Sequence, residues 1–370
     1  MHLQRLAITG LRNLDAVDIA LLPGANFFYG ANGSGKTSIL EAIYLLSRGR
    51  SFRTRNLRSV INYHQKDCTC FGALMDENGS GAIPIGVNRN SDGDFTFRIA
   101  GEQVRTASQL SELLPVQLLN SDSFQLVDGS PVHRRGFLDW GVFHVEHDYR
   151  HLWARFQRCL KHRNSLLRHG RIDPLHLAVW DKEFVQVSEQ IAELRSQYLD
   201  ELLPVFADIG SQLGVVEGLK LNTTAGWDRT VGLETLLQEG LERDRKVGHT
   251  QAGPHRADIR IQVEGKPAAE LLSRGQAKIL VIALKIAQGF LLKQNRGRQC
   301  IYLLDDLPAE LDASHRHKVG ALLQKMGVQV MITGVDRTDL EASWPESNGA
   351  DRLVRVFHVE HGRVQDIAGA

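Results

Sequence analysis

Residues 26–42 read NFFYGANGSGKTSILEA, and no other stretch limits the fold as tightly. A short apolar strand, Asn26 to Tyr29, runs into Gly30-Ala31-Asn32-Gly33-Ser34-Gly35-Lys36-Thr37, and a helix is predicted from about Thr37 and Ser38 onward. Glycines between a strand and a helix let the backbone wrap phosphate oxygens. Successive N–H groups and the helix N-terminus supply the positive potential. Lys36 is expected to reach the outer phosphates, with the Thr37 hydroxyl on Mg²⁺. The pattern predicts a nucleotide site in an α/β chain.

The acid partner of such a loop lies near the other end. Residues 301–312, IYLLDDLPAELD, open with four apolar residues, as a strand buried on both faces should. Asp305 closes that strand at its carboxyl end, where open α/β sheets place ligands, and can hold Mg²⁺ through water. Asp306 is placed to polarise an attacking water. Loop and acids must meet, so one head is expected from both chain ends: residues 1–130 and 246–370 around an inserted helical arm, 131–245. Alternating segments within 68–100, such as DFTFRIAG, predict an antiparallel sheet flanking the head.

A second phosphate-reading turn is predicted at LLSRGQAK, 271–278. Ser273 is a good N-cap, and Ile279, Ile282, Ala283 and Ile286 follow at helical spacing.

The net charge of +1 excludes a uniformly basic coat, so local clusters matter more. Residues 47–58, SRGRSFRTRNLR, carry Arg48, Arg50, Arg53, Arg55 and Arg58 with no acid. Residues 134–171 carry Arg134, Arg135, Arg150, Arg155, Arg158, Lys161, Arg163, Arg168 and Arg171 against Asp139, Glu146 and Asp148. Such clusters suit a nucleic-acid backbone, read with strong salt dependence. Arg12, Arg53 and Arg55 can instead serve the nucleotide or the fold. Cys68, Cys70, Cys159 and Cys300 form no CxxC pair, no signal-peptide core is visible and no apolar run approaches a membrane span, so a reducing cytoplasm is expected.

The arm shows two heptad seams. Leu138, Val142, Val145, Tyr149, Leu152, Phe156 and Cys159 keep 4,3 spacing, which Leu166 resumes. Leu177, Trp180, Phe184, Val187, Ile191, Leu194 and Tyr198 keep 3,4 spacing after an N-cap predicted at Asp173. Two helices in a short antiparallel coiled coil are expected. His144, His147 and His151 could share a helix face, expected to be solvated or DNA-facing rather than metal-binding. FHVEH occurs at 143–147 in a predicted helix and at 357–361 in a predicted strand, which marks coincidence rather than a repeat.

Ser273-Arg-Gly-Gln276 with Ala309-Glu310-Leu311-Asp312 resembles the signature and D-loop of ABC-type ATPases. There, the resemblance implies, Ser273, Gly275, Gln276 and Asp312 of one chain face the Gly30–Thr37 loop of a second copy. Further stretches are similar to the RecF recombination and gap-repair family. They are residues 3–54, from LQRLAITGLRNL to SFRT, LVDGSPVHRRGFLDW (126–140), GPHRADI (253–259) and LLSRGQAKILVIALKIA with LLDDLPAELD. This resemblance covers nearly the whole chain. It implies an ABC-type ATPase head that binds ATP and Mg²⁺, dimerises on ATP and binds double-stranded or gapped DNA. It further implies weak DNA-stimulated hydrolysis as a switch, RecO and RecR as partners, RecA loading and a part in the SOS response. Two departures stand out: Asn120-Ser121-Asp122-Ser123 replaces a Ser-Pro-Glu-Asp type segment, and Thr333-Gly334 stands where ABC transporters carry a switch His. The second disfavours a transporter energy subunit and implies slow turnover; a DNA scaffold with a static nucleotide site is the other rival.

Overall fold

The computed structural model describes residues 1–76, 81–168, 174–345 and 354–367, and the chain divides into two compact units, Met1–Ser123 with Leu292–Ala370 and Phe124–Leu291. The predicted cap Asp173 and the cation Arg171 lie outside the described residues.

In the first unit, Ala25–Tyr29, Ile301–Leu304 and Val330–Gly334 are apolar runs buried along nearly their whole length. Runs without alternation belong to parallel strands covered on both faces. They pair in parallel in one sheet, ordered Arg363–Asp366, Val354–Glu360, Ala25–Tyr29, Val330–Gly334, Ile301–Leu304, Val116–Leu119, with only the first strand antiparallel. Both chain ends therefore build one head.

The second sheet is wholly antiparallel, ordered Leu14–Ala20, His2–Leu11, Asp67–Met75, Ala82–Asn90, Phe95–Ile99, Glu102–Val104. Its alternation is plain in Asp67–Met75, where Cys68, Cys70, Gly72 and Leu74 turn inward. The helix Lys36–Arg48 supplies Ile39, Leu40, Ile43 and Leu46 to a core shared with Leu6, Ile8, Leu74, Leu118 and Leu303. Each such side chain contributes about 1.5–3 kcal/mol on burial. That helix stops at Gly49, which is left-handed at φ 60° and donates to Leu45 O; a Cβ there would meet Ala107 Cβ at 2.6 Å. Buried Gln329 ties the two sheets together, accepting from Leu3 N at 2.8 Å and donating to Leu3 O at 2.8 Å and Leu22 O at 2.7 Å. All four cysteines are free and buried, and burial pushes the thiols up, Cys68 to about 11 and Cys300 to about 12. They are small apolar core residues.

The second unit corrects the arm. The first seam is not one helix: Pro131–Val145 ends at Glu146, and a new helix, Tyr149–Arg168, begins after a three-residue break. Its partner is the 40-residue helix Pro174–Leu213. Arg155 bonds Glu183, Phe156 meets Phe184, His162 stacks on Trp180 and Arg163 bonds Asp181, so the pair is antiparallel as expected. The break also separates the three histidines. His144 packs on Trp140 with ring centroids 4.5 Å apart, His147 sits in the break and His151 starts the next helix, so no common helix face exists.

The heptad slot between Cys159 and Leu166 is filled by Arg163, fully buried. It donates to Asp181 Oδ1 and Asp244 Oδ2 at 2.7 Å each and to Thr250 Oγ1 at 2.8 Å. His255 of GPHRADI packs beside Phe156 and Phe184, and its Nε2–H donates to Thr250 O at 2.9 Å. Burial, aided by Arg256 and Arg135, pushes its pKa down to about 4, so the ring is neutral near pH 7. Among the described residues one helix, Arg274–Arg296, is long and apolar enough to cross a membrane, contrary to the sequence expectation. Two thirds of its apolar window (67%) is buried inside the molecule, which makes it a core helix.

Candidate functional site

Gly30–Thr37 forms the loop between the strand Ala25–Tyr29 and the helix Lys36–Arg48. Its glycines are required by geometry: Gly30 has φ 151°, and a Cβ there would lie 2.1 Å from Val359 O. Gly33 has φ 79° with open space where a Cβ would point. The loop is braced from outside by Asn13, whose Nδ2 donates to Gly33 O at 3.0 Å and whose Oδ1 accepts from Ser38 Oγ at 3.1 Å. Gly362 N donates to Ser34 O at 2.9 Å, so the C-terminal hairpin also buttresses the loop.

Inside the loop, Lys36 Nζ donates to Gly30 O at 2.8 Å and Ala31 O at 2.9 Å. Burial lowers its pKa, opposed by the charges of Asp306 and Asp305. Ser34 Oγ is buried and has no hydrogen-bond partner among the described residues. An orphaned hydroxyl in a glycine-rich loop is costly unless a ligand oxygen meets it, and a phosphate supplies such oxygens.

Both acids follow the strand Ile301–Leu304, and Thr333 lies on Val330–Gly334, the strand between it and Ala25–Tyr29. Asp305 Oδ1 accepts from Thr37 Oγ1 at 2.9 Å and from Thr333 Oγ1 at 2.9 Å. Asp306 N donates back to Thr333 Oγ1 at 2.8 Å. Burial raises the Asp305 pKa, while the two hydroxyls lower it. Asp306 is left-handed at φ 54°, ψ 44°, a conformation that costs an aspartate about 1 kcal/mol or more. Thr333 was read from sequence only as the absence of a histidine. Its hydroxyl in fact fixes both acids, and the available signal was a hydroxyl residue closing an apolar strand beside the acid strand.

One cavity of about 700 Å³ collects Lys36, Thr37, Ser38, Asp305, Asp306 and Thr333, together with Asn32, Gly33 and Gly35. Its size lies in the range of small-molecule sites. Arg12 and Arg53 also line it. Both are tied to Glu41, fully buried one turn beyond Thr37: Arg12 Nη2 and Nε bond its carboxylate at 2.8 and 3.0 Å, and Arg53 Nη1 lies 3.6 Å away. The phosphate-loop helix is thereby coupled to the basic segment 47–58, a link that sequence reading did not find. Thr37 and Asp305 present two hard oxygens close enough to share one hydrated Mg²⁺, so the residues fit the metal that the motif implies.

Ser273 caps the helix Arg274–Arg296 reciprocally: Gln276 N donates to its Oγ at 3.3 Å and Ser273 N to Gln276 Oε1 at 2.9 Å. Ser273, Gly275 and Gln276 are exposed, and a Cβ on Gly275 would meet nothing within 4 Å. Asp312 is exposed and caps Ala313–Met326, accepting from His315 N at 3.0 Å. Asp122 is exposed and absent from the cavity lining. Among the cations proposed for DNA, Arg50, Arg53, Arg55, Arg158 and Lys161 are exposed. Arg134 is held by Asp258 at 2.7 and 3.0 Å, Arg135 donates to Ala257 O and Arg155 pairs with Glu183. Arg48 is half-buried beside Tyr44, and burial lowers its pKa.

The family model for the RecF/RecN/SMC N terminal domain matches residues 2–365. The chain is 50% identical over 364 residues to the DNA replication and repair protein RecF of Pseudomonas syringae pv. tomato, covering 98% of both chains. It belongs to the RecF family. The RecF of Cellvibrio japonicus is 49% identical over the same length, covering 98% of this chain and 99% of that one. Among solved structures, the recombination mediator protein RecF-ATP in the RecFOR pathway superposes with a TM-score of 0.85 at 24% identity, over 99% of this chain and 98% of that one. An Smc head bound to the C-winged helix domain of ScpA gives 0.57 at 15% identity, covering 99% and 97%. The RecF fold is thus an elaborated ABC-ATPase head, as its sheets indicate.

Proposed function

We propose that this RecF-family chain binds ATP in the cavity around Lys36, closes into a two-fold dimer on it, and holds double-stranded or gapped DNA while closed. The observation that carries the reading is the chain of bonds Thr37–Asp305–Thr333–Asp306 beside Lys36 and the orphaned Ser34 hydroxyl. Loop N–H groups and Lys36 bind the phosphates; the Thr37 hydroxyl and Asp305 carboxylate would hold a Mg²⁺, which would supply neutralising charge to the phosphates. Asp306 orients the attacking water.

Ser273, Gly275, Gln276 and Asp312 serve the nucleotide of the second copy. Their exposure supports this, as does a glycine at 275 that the single chain does not require. An isologous pair of heads then carries two composite sites. ATP favours DNA binding only through its higher affinity for the closed dimer. The basic segment 47–58, joined to the nucleotide cavity through Arg53 and Glu41, takes the phosphate backbone along with exposed Arg158 and Lys161. Slow hydrolysis, stimulated by DNA, releases it. The names of its relatives support a role in DNA replication and repair and in the RecFOR pathway; RecO and RecR as partners, RecA loading and a cytoplasmic location are what the family resemblance implies.

Asp306→Asn tests the chemistry. It keeps the side-chain volume and the backbone bond to Thr333, so ATP affinity is expected to hold while single-turnover hydrolysis falls about 100-fold or more. Undiminished hydrolysis would remove Asp306 from the mechanism.

A further inference from the structure

The cavity around Lys36 is lined by glycines and by polar or charged side chains apart from Ile61 and Tyr63, and His64 adds a second, more polar ring. Tyr63 is also the most exposed large hydrophobic residue among those described, at 101%. It makes no ring contact among the described residues, yet its backbone is not loose. Leu11 and Ile61 form a β-bridge, and Asn62 N donates to Gly10 O at 2.8 Å. The Asn62 side chain, itself buried, donates to Asp15 Oδ1 at 2.9 Å and accepts from His64 N at 2.9 Å. Gln65 N closes the turn on Asn62 O at 3.0 Å. A bare aromatic ring is therefore presented on a pinned turn at a cavity whose remaining wall is built for phosphates.

Phosphates account for Lys36, Thr37 and the loop, but a nucleotide also brings a flat base that gains from an aromatic platform. We propose that Tyr63 is the residue on which the purine ring stacks. The turn 61–64 then reads the base and the phosphate loop reads only the triphosphate. This deepens the ATP reading and rests on it. Stacking without edge hydrogen bonds favours the larger base, so the ring gives ATP its advantage over UTP. The fixed turn limits the ordering cost to the side chain of Tyr63.

Isothermal titration of the full chain with Mg²⁺ and ATP, UTP or inorganic tripolyphosphate tests this in wild type, Tyr63→Phe and Tyr63→Ala. Tyr63→Ala is expected to weaken ATP about tenfold, bring ATP and UTP close together and leave tripolyphosphate within about twofold, with Tyr63→Phe retaining the wild-type order. Unchanged ATP affinity in Tyr63→Ala would overturn the proposal, as would an equal loss of tripolyphosphate, which would place the ring's effect on the phosphates or the fold. If wild type takes up neither ATP nor tripolyphosphate, the nucleotide reading itself fails and the proposal falls with it. Tripolyphosphate binding with no dependence of ATP on Tyr63 sinks this proposal alone.

Discussion

Lys36→Ala is expected to lower ATP affinity by about 30- to 1000-fold while leaving the protein folded. The ammonium is buried between Gly30 O and Ala31 O, and in the bound state it exchanges those carbonyls for phosphate oxygens. Each hydrogen bond to a charged group is worth about 1.5–3 kcal/mol, and the phosphate charge stays unmatched once the cation is gone. The measurement is thermal denaturation with and without Mg·ATP: ligand that binds only the folded state raises the midpoint of the wild type. The variant should melt close to the unliganded wild type and show no shift. An equal ATP shift in both proteins would remove Lys36 from the site.

The second large effect lies in the arm. Arg163→Met keeps the apolar stem but leaves Asp181 and Asp244 facing each other without their cation, and removing one partner of a buried ion pair costs about 3–5 kcal/mol. Urea denaturation should show that loss. Its pH dependence has a definite sign. Burial already raises the Asp181 pKa and Arg163 opposes that rise, so the variant raises it further. A carboxyl whose folded pKa exceeds its unfolded value is destabilising as it ionises. The deficit of Arg163→Met is therefore expected to be greatest near pH 7 and to shrink as the pH falls through the raised pKa. Adding Asp244→Leu should recover part of it. A deficit that does not vary with pH would mean that lost packing, not stranded charge, is responsible.

Much of this architecture was legible because its signals are local. The loop Gly30–Thr37 needs glycines at fixed places, and the strands beside it are apolar without alternation, so pattern and environment agree. The acids Asp305 and Asp306 close such a strand and meet the loop as read. What escaped was decided by contacts far apart in sequence. Thr333 sits 28 residues from Asp305, whose carboxylate it bonds, and Glu41 lies 29 residues from Arg12. Periodicity also hid two exceptions. The seam 138–159 reads as one helix, although the chain breaks at Glu146–Asp148, and Arg163 fills a seam position because Asp181, Asp244 and Thr250 converge on it. The pentapeptide FHVEH makes the limit plain. At 143–147 it ends a helix against Trp140. At 357–361 it lies in a strand where Phe357 stacks on Phe28 with centroids 4.9 Å apart. Surroundings, not letters, choose between them.

The coupling of ATP, dimer and DNA is tested most directly by fluorescence anisotropy on a labelled gapped duplex, with and without Mg·ATP, for wild type and Ser273→Arg. The substitution places a bulky cation at an exposed helix cap, away from the core of its own chain. ATP should tighten DNA binding by wild type about tenfold or more and leave the variant unchanged, a difference of at least about 1.4 kcal/mol in coupling. If both proteins bind DNA equally well with and without ATP, the nucleotide site does not control DNA binding, and the ATP-closed dimer is not what holds it.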